Sequence, residues 1–203
     1  MLREGIEAAR NFFGMSTRRL RRPQPTTDQR SPEERLEALV REPNRERALR
    51  MLGRIRSDLD ANPNPGPWIA AARALGERLI ISESTVYYFV TLVTESLILA
   101  ATDSDPELCR IRGEMDQIER AHGLLEDEAW FVGEGPPEWQ ELNSAWNRRS
   151  EEIVVTSLRE LGHPDFASLL AQNPDEFEAR SSEGYSDLWG KVDDEAEPDS
   201  DYW

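Results

Sequence analysis

Lysine is almost missing from this chain: Lys191 stands alone, and arginine supplies the rest of the 24 basic side chains. Arginine-favouring codon usage explains that bias more simply than selection for bidentate contacts does. Cysteine is as scarce. With Cys109 the sole thiol, an internal disulfide is excluded, and the expected compartment is the reducing cytoplasm. The opening residues, MLREGIEAARNFF, lack the apolar core of a secretory signal and carry Glu4 and Glu7, so no export signal is read there. Glycine-rich phosphate loops, nucleophile elbows and zinc-ligand spacings are all missing. The expectation is therefore a chain with no catalytic residue and no cofactor.

What the sequence does contain is charge, unevenly placed. The formal net charge is −16 over 203 residues. The first 56 residues hold 14 arginines against 8 acidic side chains, while the remainder holds 10 basic and 32 acidic ones. Nucleic acid is an unexpected ligand for so acidic a body, because a phosphate backbone needs cations that only the N-terminal segment supplies. At 38% apolar and 32% charged, the chain has enough core formers for one folded domain, with polar extremities to spare.

Helix starts are legible. Ser31-Pro32-Glu33-Glu34, Asp105-Pro106-Glu107-Leu108 and Asn173-Pro174-Asp175-Glu176 each place proline at the first helical position after a capping side chain, with acids in the first turn. Ser31 and Glu34 also have the capping-box spacing. The pattern predicts helices near Ser31 to Glu42, Asn44 to Asp60, Trp68 to Leu79, Pro106 to His122, Glu138 to Leu161, Asp165 to Ala171 and Pro174 to Arg180. Leu49, Leu52, Ile55 and Leu59 make the apolar stripe of the second. Asn62 to Pro67 and Gly133 to Pro137 break the chain between helices.

One long apolar run remains, Ile81 to Ala100. Its β-branched and aromatic content allows a buried strand over Ser84 to Thr94, but its length and helical surroundings favour a helix. Leu79 to Ala101 is also long enough to span a bilayer. Glu95 inside it opposes insertion by about 2.5–3.5 kcal/mol, against roughly 0.3–0.6 returned by each large apolar residue. A helix apolar nearly all round is what the centre of a bundle requires, and that is the reading preferred here, with membrane association through this segment or the N-terminal arm as the alternative.

Candidate sites are few. Glu119 with His122 and Glu160 with His163 have the Glu-x-x-His spacing of carboxylate-bridged metal bundles, with Glu95 and Glu141 in the right order to be single ligands. Helical rise argues against this, since Glu95 and Glu119 lie at very different distances from the turn between their helices, and His163 sits between Gly162 and Pro164 past a helix end. Helix caps are the simpler role for both histidines. Cys109 falls in a first helical turn, where a thiolate is favoured, but Asp105 and Glu107 oppose that. Arg47, Arg50 and Arg54 share a helix face suited to phosphates, an acidic partner or simply solvent.

The extremities look made for partners. Leu2, Ile6, Ala9 and Phe13 share one helical face and are followed by Arg18, Arg19, Arg21 and Arg22, a combination suited to a partner's groove or an anionic surface. At the other end, Tyr185, Trp189, Tyr202 and Trp203 interrupt an acidic tail in the manner of a disordered recognition segment, unless Trp189 packs on the chain's own body. The whole sequence thus predicts an all-α, single-domain bundle of about six to eight helices over residues 31–189, a basic arm and linker over 1–30 and an acidic aromatic tail over 190–203. The function expected of it is non-enzymatic: a protein–protein interaction or regulatory accessory subunit, with a carboxylate/histidine metalloenzyme as the rival.

Overall fold

The computed structural model describes residues 29–61, 64–123 and 135–190. Over these the chain is all-α, with eight helices and, among the described residues, no strand. They are α1 (Pro32–Val40), α2 (Arg45–Ala61), α3 (Gly66–Glu77), α4 (Glu83–Thr102), α5 (Pro106–Ala121), α6 (Pro137–Glu160), α7 (Pro164–Gln172) and α8 (Pro174–Trp189). The arm over 1–28 and the tail over 191–203 lie outside the described residues.

Each expected helix start is built as its sequence dictates. Ser31 and Glu34 form the reciprocal capping box, at 3.2 Å from the Glu34 N–H to Ser31 Oγ and 2.8 Å from the Ser31 N–H to Glu34 Oε2. Asp105 accepts from the N–H groups of Glu107 and Leu108 at the head of α5, and Asn173 accepts from Glu176 at the head of α8. The apolar run is helical as α4, which settles the strand alternative. Its start is also capped, Ser82 Oγ accepting from the Thr85 N–H at 3.0 Å.

The described helices form two compact units. One comprises residues 29–61, 64–96 and 172–190. Its core holds Leu36 and Leu39 of α1, Leu52, Ile55 and Leu59 of α2, Ile69 and Leu75 of α3, Val86, Val90 and Val93 of α4 and Phe177 and Trp189 of α8. The guanidinium of Arg35 is buried on α1, where it stacks over the Trp68 ring and pairs with Asp58 at 2.5 Å. A buried ion pair of this kind needs both partners, because either charge alone is left desolvated.

Helix α8 runs nine residues beyond the expected end at Arg180, to Trp189. The polar run Ser181-Ser182-Glu183-Gly184 reads as a helix stop, yet packing overrides it. Thr91 of α4 donates to Ser181 at 2.8 Å, and Ser84 donates to Glu183 at 2.8 Å. Arg180 binds Glu83 at 3.1 Å and lies over the Tyr87 ring. At Gly184 the backbones come so close that a β-carbon would sit 2.0 Å from the Ser84 carbonyl oxygen. Glycine here is a requirement of approach, not a breaker.

The other unit comprises residues 97–123 and 135–171. Ala101, Leu108, Ile111, Met115, Trp139 and Trp146 form its buried cluster, with Ile118, Leu142, Ala145 and Ile153 half-buried against it. Helices α5 and α6 run antiparallel. Asp105 at the head of α5 binds Arg149 far along α6 at 2.7 Å, whereas Glu119 near the foot of α5 accepts from the Trp139 indole in the first turn of α6 at 2.9 Å.

By length and composition α4 qualifies as a membrane-crossing helix, but 72% of its apolar window is buried inside the protein. That degree of burial is what the centre of a bundle shows.

Candidate functional site

A shallow groove, broadly open to solvent and of about 660 Å³, lies along the same antiparallel pair. Glu114, Gln117, Ile118 and Ala121 form its α5 wall, and Glu138, Glu141, Leu142 and Ala145 its α6 wall. Each set repeats at i, i+3/i+4, i+7, so each wall is one helical ridge about two turns, or roughly 10 Å, long. The floor is apolar because Ile118, Leu142 and Ala145 are the outer layer of the unit's core and stay half-buried. Glutamates occupy the rim; Glu138 and Glu141 are exposed, and Glu114 pairs with Arg110 at 2.7 Å. An apolar floor between acidic walls suits an amphipathic segment that carries cations beside its apolar stripe.

Sequence reasoning did not assemble this groove. Ile118, Leu142 and Ala145 read as ordinary core positions, and their half-exposure appears only when two helices converge. A signal existed in retrospect: Glu114 and Glu138/Glu141 flank apolar residues on facing ridges, but the facing had to be known first.

The Glu-x-x-His pairs are not brought together as ligands. Glu119 is committed to the Trp139 indole, and burial pushes its carboxyl above the usual range while that hydrogen bond opposes the shift. His122 caps α5, its Nδ1 2.9 Å from the Ile118 carbonyl oxygen. Glu160 is exposed at the end of α6. His163 lies past that end, where Gly162 takes φ +86° and the His163 N–H bonds to the Leu158 carbonyl at 2.8 Å. A left-handed glycine with this bond is a helix terminus, so Glu160 and His163 do not share a helical face. Of the single-ligand candidates, Glu95 pairs with Arg56 at 3.2 Å and Glu141 lies on the groove rim. Among the described residues no three His, Cys, Asp or Glu side chains gather in a metal-holding group.

Glu95 is electrostatically unusual. Desolvation on α4 pushes its carboxyl up to about 7, despite the opposing pull of Arg56 and with a smaller contribution from Asp60. Asp60 is itself engaged, accepting from Ser96 at 2.7 Å. Cys109 is exposed at the start of α5, its thiol 3.3 Å from the Thr102 carbonyl oxygen.

Of the partner-type residues, Arg47, Arg50 and Arg54 are exposed on α2, with Arg50 held by Glu46 at 2.5 Å. Tyr185 is exposed, but Trp189 is buried among the side chains of its own unit, with Tyr185 against its ring. Packing on the body, not display to a partner, is the placement of Trp189. Phe13, Arg18, Arg19, Arg21, Arg22, Tyr202 and Trp203 lie outside the described residues.

Leu79, where the sequence ends the Trp68 helix and begins the apolar span, belongs to neither helix, since α3 stops at Glu77 and α4 starts at Glu83. It is 90% exposed and adopts φ 57° in the turn after α3. The Ile80 N–H reaches back to the Leu75 carbonyl at 3.0 Å, a helix stop normally built on glycine.

Compared with known proteins, the chain matches no family model, no curated protein and no solved structure.

Proposed function

We propose that this chain is a non-enzymatic interaction protein, a regulatory or accessory subunit of a larger assembly, and that the groove between α5 and α6 is where it docks an amphipathic, basic segment of another protein. The groove carries this reading. Its apolar floor offers burial, and the exposed Glu138 and Glu141 select cations at its α6 margin. The cytoplasm is the compartment proposed for this activity.

A photo-crosslinking amino acid placed at Gln117 tests the reading in the native cell. The expected adduct is a peptide with apolar residues at helical spacing bordered by Arg or Lys, and Glu138→Arg/Glu141→Arg should suppress it. Adducts indifferent to that reversal, or peptides without basic residues, would remove the groove from consideration.

A further inference from the structure

The groove has a second candidate occupant within the chain itself. Resting on the docking reading above, we infer that residues 2–13 of the N-terminal arm cover the α5/α6 groove of the same molecule, so that a partner must displace them to bind.

Three stretches lie beyond the described helices in quantity, and charge separates them. The stretch 124–134 has four acidic and no basic residues, and 191–203 has six acidic residues and one lysine. Both are repelled by a rim of glutamates. Residues 1–22 have six arginines and two glutamates, the complementary sign. Spacing agrees with charge. Ile6, Ala9 and Phe13 follow one another at i, i+3 and i+7, a stripe of about 10 Å if helical, which is the length of each groove wall. If the stripe is helical, Arg3 and Arg10 border it on one side at 100° per residue, with the sign complementary to the exposed Glu138 and Glu141 on one margin of the groove. The tether from residue 14 to 28 reaches up to about 50 Å when extended, so it does not confine the arm to nearby surfaces.

A tethered arm acts at an effective concentration on the order of millimolar, well above that of any peptide in solution. The test is a titration of a fluorescent peptide with the sequence of residues 1–22 against two full-length chains, wild type and Ile6→Glu/Phe13→Glu, by anisotropy at low salt. Self-coverage predicts that the variant binds the peptide at least tenfold more tightly than wild type, and that adding Glu138→Arg/Glu141→Arg to the variant abolishes the gain. Equal affinity for wild type and variant would overturn the inference while leaving the docking reading intact. No binding to either chain would overturn both. Sedimentation velocity completes the assignment: a monomer is expected, and a dimer dissolved by Ile6→Glu/Phe13→Glu would place the arm on a second copy and contradict coverage within one molecule.

Discussion

At the scale of single residues, Leu79 and Glu95 are the places where local preference is overruled. A left-handed leucine costs about 1–2 kcal/mol relative to glycine, and its side chain, 90% exposed, returns nothing by burial. Leu79→Gly should therefore stabilise the protein by about 1 kcal/mol, seen as a higher urea midpoint with unchanged slope. Glu95 has the opposite character. Its folded carboxyl titrates near 7, whereas an unfolded glutamate titrates near 4.3, so the unfolded chain holds fewer protons between those values. Stability contributed by neutral Glu95 is thus complete below about pH 4 and declines as pH rises to about 7. Glu95→Gln should flatten that decline and raise stability at pH 8 by on the order of 2 kcal/mol, measured as chemical denaturation at a series of pH values. Glu95 was half legible, since an acid within an apolar run needs a partner such as an arginine once a bundle buries it, and Arg56 is that partner; the left-handed Leu79 was not. Sequence marks Glu95 as an acid in an apolar run, but its upward shift comes from the burial that the assembled helices impose, against the pull of Arg56 and with a smaller push from Asp60, and nothing in Arg78-Leu79-Ile80 announces a left-handed turn.

Helices, as elements, were the most legible part of the molecule, because their signals are local. Ser31, Asp105 and Asn173 cap where their prolines and first-turn acids said they would. The end of α8 was not, because Ser181 and Gly184 are polar or flexible in sequence and packed in space. That difference yields a sharp expectation. Gly184→Ala places a methyl group 2.0 Å from a backbone oxygen of α4, a clash no rotamer relieves, and should lower stability by at least about 2 kcal/mol in spite of alanine's better helix propensity. Thermal unfolding measures it; a neutral or stabilising alanine would mean that α8 does not press on α4. Arg35→Ala belongs to the same scale. It removes one side of the buried pair with Asp58 and the stacking on Trp68 and should cost about 3 kcal/mol, far more than Arg50→Ala at the exposed Glu46 pair.

For the whole molecule, the contrast between a basic beginning and an acidic remainder was plain from composition, and the all-α class from helix caps and apolar periodicity. The groove was hidden because it belongs to neither α5 nor α6 alone: Ile118 and Leu142 each look like core until the two ridges stand side by side with glutamates outside them. Whether that groove docks a basic amphipathic segment is decided by a charge-swap titration. A basic amphipathic helical peptide should bind the full-length chain with an affinity that falls steeply with salt, and Glu138→Arg/Glu141→Arg should weaken it at least tenfold. The same peptide with its arginines replaced by glutamate should recover binding to the reversed groove and not to the native one. Affinities that ignore the sign of the rim on both sides of the swap would contradict the account.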